Sequence, residues 1–281
     1  MNHAPSYPAP AAALKLHWWK ARPNFGDALS ALVVAHVAGR PVTHAGPGGA
    51  ELFALGSLLQ VVRRRHRGPR ADGLRPWIWG SGLLHPVPAD FLDNVRIALL
   101  RGPITAALLG VAADRFGDPG LLVPEVLGLS PASRDRIALV PHHSQMEDPG
   151  LRALAEREPA LDLIDVRGDP AEICTRIGTA RHVIAASLHG LIVADAYGVP
   201  NTWLAPGDQS RLKYHDYAAG VGRPLIAPLT PEAVPDLLRR IKDSDRITYE
   251  HGLAQARAAL QETFPQALRG ADPALAQRPG A

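Results

Sequence analysis

Ser187-Leu188-His189-Gly190 interrupts two apolar runs, Val183-Ile184-Ala185-Ala186 before it and Leu191-Ile192-Val193-Ala194 after it. The first run is short and β-branched, as a buried strand is, and the second continues as a helix. A strand that passes directly into a helix does so at the C-terminal edge of a parallel sheet, where ligands bind. Backbone N–H groups left free at the start of the helix favour an anion there. An imidazole at that edge can hold a phosphate and hand over a proton. The same four residues also read as a helix cap followed by a structural histidine. Arg101-Gly102-Pro103 repeats the logic earlier in the chain: an arginine closes a strand and Gly-Pro turns the backbone into a helix. Its guanidinium can fork onto a carboxylate or phosphate, or can simply be a surface group beside a turn. Lys213-Tyr214-His215-Asp216-Tyr217 adds an ammonium for an anion, with Asp216 able to cap a turn.

Other segments carry weaker chemistry. Asn24-Phe25-Gly26-Asp27 can bind substrate hydroxyls or cap the following helix, with Asp27 placed as its N-cap. Pro141-His142-His143 ends another strand. Neighbouring side chains in an extended segment point to opposite sides, so the two histidines are poorly placed to share a metal. No HExxH or cysteine-rich spacing occurs, and no metal is expected. Gly80-Ser81-Gly82 is too short for a dinucleotide fingerprint and lacks the lysine of a P-loop. No GxSxG nucleophile elbow is present. Arg63-Arg64-Arg65-His66-Arg67 ends an apolar helix. A solvated helix C-terminus accounts for this run, and contact with an anionic membrane surface or a lipid diphosphate is the sharper alternative.

The elements that hold these residues follow from the pattern around them. Of the 281 residues 46% are apolar, enough for one large domain or two medium ones. A net charge of +3 without a concentrated basic face argues against nucleic acid and suits small anionic substrates. The single cysteine, Cys174, excludes an intrachain disulfide, fits a reducing compartment and reads as a small buried hydrophobe. The first dozen residues lack the layout of a secretion signal, and no apolar stretch approaches the roughly 20 residues that span a bilayer. The expectation is a soluble, cytoplasmic protein with disordered tails at 1–11 and 269–281.

Strands are expected at 14–18, 52–55, 77–79, 96–100, 137–140, 161–166, 182–186 and 201–204. Helices are expected at 28–37, 104–109, 151–156, after the Asp169-Pro170 cap, and at 188–197, 237–241 and 253–260. The polar stretch 131–135 is the linker candidate. This alternation predicts an α/β protein of two Rossmann-like domains facing a cleft, 12–130 and 134–265, with one closing helix able to cross back to the first.

Taken in order, Asn24-Phe25-Gly26-Asp27, Gly80-Ser81-Gly82, Arg101-Gly102-Pro103, Gly117-Asp118-Pro119, Pro141-His142, Ser187-Leu188-His189-Gly190 through Ala194-Asp195-Ala196, Gly198-Val199-Pro200 and Lys213-Tyr214-His215-Asp216-Tyr217 resemble the polysaccharide pyruvyl transferase family. The similarity is greatest to members that place ketals on bacterial exopolysaccharides. The resemblance implies a GT-B-like arrangement, with phosphoenolpyruvate held by the 134–265 domain and the acceptor by the 12–130 domain. It implies transfer of a pyruvyl group to a sugar of an exopolysaccharide, or of its lipid-linked precursor, with release of phosphate. His189 would bind phosphoenolpyruvate and donate a proton, while Arg101 and Lys213 hold its carboxylate and phosphate. Asn24, Gly26, Asp27, Gly80, Ser81, Gly82, His142, Ser187 and Leu188 would contact substrates. No cofactor beyond the donor is implied, and the cytoplasmic face of the inner membrane is an implied partner. Some members carry Arg where this chain has Ser187, which removes one cation. Two other readings share the architecture: a nucleotide-sugar glycosyltransferase and a non-catalytic glycan- or anion-binding homologue.

Overall fold

Every strand pairing is parallel, with helices or turns carrying the chain from the end of one strand back to the start of the next. The computed structural model describes residues 12–128, 135–224 and 227–270. The first half contains β1 (Leu14–His17), α1 (Phe25–Ala38), β2 (Val42–His44), β3 (Leu52–Phe53), α2 (Leu59–His66), β4 (Trp77–Ser81), β5 (Arg96–Leu100), α3 (Pro103–Leu109) and α4 (Val123–Leu127). The second contains β6 (Ile137–Val140), α5 (Pro149–Arg157), β7 (Leu161–Leu163), α6 (Pro170–Gly178), β8 (His182–Ala185), α7 (Leu188–Ala196), β9 (Asn201–Trp203), α8 (Leu212–Gly220), α9 (Val234–Leu238) and α10 (Glu250–Thr263). The strand orders are β2-β1-β3-β4-β5 and β7-β6-β8-β9.

Several boundaries differ from the sequence reading. The edge strand β2 is half exposed and has no alternation to reveal it. Helix α1 begins at Phe25 because Asn24, in extended backbone, is its N-cap: the Asn24 side-chain Oδ1 accepts the Gly26 N–H at 3.2 Å. Asp27 is therefore inside the first turn and not the cap, and its carboxylate accepts from Asn24 Nδ2 at 2.8 Å. Of the expected linker only Asp135 falls among the described residues, so the boundary between 130 and 134 lies outside them, as do 1–11 and 271–281. Arg269 and Gly270, expected in the tail, are instead seated on α1, donating to the carbonyls of Val37 at 2.8 Å and Ala38 at 2.7 Å.

The halves pack directly on one another. One apolar core runs from Leu14 and Phe25 through Leu121 and Leu122 to Leu191 and Ile192. The Phe25 N–H donates to Val166 O across the halves at 2.9 Å. Helix α10 does cross back: the Trp79 indole donates to Leu260 O at 3.1 Å, and the Phe264 ring meets Trp79 edge-on at 5.0 Å between centroids. Cys174 is buried, and burial raises its thiol pKa to about 12. Among the described residues no helix is long and apolar enough to cross a membrane.

Candidate active site

Four segments that leave the C-terminal ends of strands converge where the two sheets meet. Ser187, in extended backbone after β8, is the N-cap of α7, its hydroxyl accepting the Gly190 N–H at 3.4 Å. Its hydroxyl thus serves the helix, and Leu188 is buried with the core. His189 follows as the second residue of α7, and its ring lies against Gly26, the second residue of α1. A Cβ on Gly26 would overlap the imidazole, so glycine is required there by close approach. The N-terminal turns of α1 and α7 therefore meet, an arrangement that favours negative charge between them.

His189 is buried, and its Nε2 has no hydrogen-bond partner among the described residues. Burial, and then the cations Lys213 and Arg101, pull its pKa down to about 3, so the imidazole is neutral. Lys213 sits in the first turn of α8. Burial and Arg101 lower its pKa to about 8, opposed by Asp27. Asp27 is half-buried; burial raises its carboxyl to about 6, against the Asn24 hydrogen bond and the Lys213 ammonium. His142, at the end of β6, is brought to about 3 by burial together with Lys213, His143 and His189. Asp27, His142, His189 and Lys213, drawn from across 187 residues of chain, thus share one electrostatic environment.

Arg101 departs from its expected role. The side chain is fully buried: Nε donates to Asp216 Oδ2 at 3.0 Å, Nη1 to Ser57 Oγ at 2.8 Å and Nη2 to Leu83 O at 2.9 Å. Asp216 caps no turn of its own segment and instead serves the first turn of α3. It also accepts the Thr105 N–H and hydroxyl, both at 2.7 Å, which locks α8 onto α3. With its guanidinium committed to protein, Arg101 acts by positioning α8, and hence Lys213, and by the positive field it adds.

Gly80-Ser81-Gly82 also turns inward. The buried Ser81 hydroxyl donates to Gly56 O at 2.8 Å and accepts the Leu58 N–H at 3.2 Å. A Cβ on Gly82 would overlap the Arg101 guanidinium, while Gly80 packs against Pro119. This segment builds the bed of Arg101 and offers no side chain to a substrate.

His142 and His143 do not point apart, because the chain leaves extended geometry after His142 and enters a tight turn at His143–Gln145. Their rings lie 4.1 Å apart between centroids. His142 caps that turn: its Nδ1 accepts the Ser144 N–H at 3.3 Å, and Gln145 Oε1 accepts the His142 N–H at 3.2 Å. Among the described residues no group of three or more His, Cys, Asp or Glu side chains could hold a metal ion.

A buried network and a cavity adjoin these residues. Asp195, buried on α7, accepts from Tyr217 Oη at 2.8 Å, Tyr249 Oη at 2.7 Å and Asn201 Nδ2 at 2.7 Å, with Arg223 Nη1 at 3.3 Å. This network ties α7 to α8 behind His189 and Lys213. On the other side of Asp27 opens a cavity of about 450 Å³ bordered by Trp19, Ser57, Gln60, Arg64 and His85. The basic run contributes to its rim, but His66 within that run is core, its Nε2 2.9 Å from Pro47 O.

Residues 77–208 match the family model of polysaccharide pyruvyl transferases, a stretch that contains Arg101, His142 and His189. The chain is 29% identical over 237 residues to the succinoglycan biosynthesis protein ExoV of Rhizobium meliloti, covering 78% of this chain and 70% of that protein. It is 24% identical over 161 residues to an uncharacterized protein of Acanthamoeba polyphaga mimivirus, covering 52% of this chain and 54% of the other. Among solved structures, a glycotransferase of kitacinnamycin aligns with a TM-score of 0.37 and 16% identity, covering 82% of this chain and 69% of that one. Residues 77–208 thus carry the likeness to the polysaccharide pyruvyl transferase family, and the similarity to ExoV extends over 78% of the chain.

Proposed function

We propose that this protein transfers a pyruvyl group from phosphoenolpyruvate to a sugar of an exopolysaccharide, or of its lipid-linked precursor, forming a cyclic ketal and releasing phosphate. The observation that carries the reading is the buried, unpartnered Nε2 of His189 beside the Lys213 ammonium, where α1 and α7 begin. The donor is an anion whose methylene carbon must be protonated, and this junction combines a cation, two helix N-termini and a titratable group. Lys213 binds the donor's negative charge. That charge offsets the cations that keep His189 neutral, so His189 gains its proton as the donor binds and passes it to the methylene carbon. A sugar hydroxyl attacks the central carbon, phosphate leaves, and a second hydroxyl closes the ketal. Arg101 contributes its field and holds α8 in place.

In this reading the two sheets form a GT-B-like pair, with the donor on the β6–β9 side and the acceptor on the β1–β5 side. The reaction takes place in the cytoplasm, and exposed Arg64, Arg65 and Arg67 are available to the anionic membrane face that carries a lipid-linked acceptor. Thermal protection by phosphoenolpyruvate, with phosphate release on adding a glycan, supports it. Protection only by UDP- or GDP-sugars would instead indicate a glycosyltransferase. Glycan binding without phosphate release, unchanged by His189→Ala, would indicate a binding protein.

A further inference from the structure

The cavity beside Asp27 has the composition of a carbohydrate seat. Trp19 stands exposed at its edge and offers an aromatic face, on which the C–H face of a pyranose packs. Gln60 donates through Nε2 to His85 O at 2.9 Å and leaves its Oε1 buried without a partner among the described residues. An unpaired buried amide oxygen is costly, and a turn of the Gln60 amide that brings it to the cavity lets a ligand hydroxyl satisfy it. Ser57 Oγ accepts from Arg101, so its hydroxyl hydrogen remains available to donate. The volume of about 450 Å³ lies within the range of about 300–1,000 Å³ usual for small-ligand sites. Asp27 closes the end nearest the reacting groups: it interacts with Lys213, and its neighbour Gly26 touches His189.

We propose that this cavity seats the pyranose that receives the pyruvyl group, and that Asp27 is the catalytic base that takes the proton from its attacking hydroxyl. The assignment rests on the pyruvyl-transfer reading above. The hydroxyl oxygen bonds to the central carbon of phosphoenolpyruvate as its proton moves to the Asp27 carboxylate and the methylene carbon receives a proton from the opposite side. Phosphate then leaves with the electron pair of its carbon–oxygen bond. The second hydroxyl of the same sugar bonds to that carbon, and its proton departs with phosphate. The proton on Asp27 returns through water to replace the one given to the methylene, so one diol and one phosphoenolpyruvate yield one ketal and one phosphate. Burial suits Asp27 to the task, since a carboxylate titrating near 6 is both ionised and usefully basic at neutral pH.

The test uses the full chain, phosphoenolpyruvate, and two probes: methyl β-galactopyranoside and a succinoglycan oligosaccharide stripped of pyruvate. Trp19→Ala and Gln60→Ala are expected to weaken saccharide binding by calorimetry about tenfold or more, leaving thermal protection by phosphoenolpyruvate unchanged. Asp27→Asn is expected to bind saccharide and donor within about threefold of wild type while turnover falls about a hundredfold or more. Turnover of Asp27→Asn within threefold of wild type overturns the base. Saccharide binding that is absent in wild type, or indifferent to Trp19 and Gln60, overturns the seat. Wild-type protein with neither phosphoenolpyruvate protection nor phosphate release removes the pyruvyl-transfer reading and the base with it, whereas the saccharide-binding comparison still decides the cavity.

Discussion

Gly26 and His189 each occupy the second position of a helix that follows a parallel strand, and they touch across the two halves of the molecule. A methyl group at position 26 has no free volume, since it would meet the ring and the Cβ of His189 at once. Gly26→Ala is therefore expected to cost about 1–3 kcal/mol, the usual penalty of an overpacked contact. It should also displace the imidazole, so phosphoenolpyruvate protection and turnover fall with it. Thermal melts with and without donor check both effects. Unaltered melting and turnover would mean that the ring has room to yield.

Among the described residues His189 makes no hydrogen bond through Nε2, so its removal should spare the fold. His189→Gln is expected to melt within a few degrees of wild type and to lose about 10²–10⁴-fold in turnover, the usual contribution of a proton-transfer group. Phosphate release together with far-ultraviolet circular dichroism separates this from unfolding.

Breaking the Arg101–Asp216 pair should have the opposite signature. Both side chains are fully buried, and removing either charge strands the other. Asp216→Asn is expected to destabilise the protein by about 3–5 kcal/mol. Arg101→Lys should fall in the same direction, because a single ammonium cannot reach Asp216, Ser57 and Leu83 from one position. Urea denaturation of the two variants gives the measurement.

The buried titratable groups predict an asymmetric pH response. His142, His182 and His189 have folded pKa values near 3, 4 and 3, below the unfolded value of about 6.5. The unfolded chain thus binds protons below pH 6.5 that the folded chain refuses. The stability they contribute is complete above that pH and is lost as pH falls toward 3–4. Asp27 has the reverse shift, upward from 3.8 to about 6, and so penalises the folded state once it ionises. Asp27→Asn should raise the melting temperature by about 2–4 °C per kcal/mol relieved above pH 6, and should give no gain below pH 4. Melting curves of wild type, His182→Asn and Asp27→Asn across pH 4–8 check both signs.

The sequence pattern located the site better than it assigned the roles within it. His189, Lys213 and Asp27 were legible because strand ends mark the ligand edge of a parallel sheet, and each follows such an end. Arg101 was legible as an important residue but not as a buried one, since its partner Asp216 lies 115 residues away and neither segment names the other. Asn24 and Asp27 are both good caps, and only the helix start distinguishes them. The two-residue β3 and the half-exposed β2 are too short for any period to declare them. Trp19 and Gln60 belong to no motif. They matter only because folding brings the end of β1 next to α2, a juxtaposition that spacing does not encode.

The bond from Trp79 to the carbonyl of Leu260 spans 181 residues. In a chain made from its N-terminus, the first sheet is synthesised long before the helix that covers it. Trp79 and its neighbours on β4 remain without α10 until the intervening chain has been made, a period in which exposed apolar surface invites aggregation. Completion of the first half is thus timed by synthesis of the last helix, and the two halves reach their final form together.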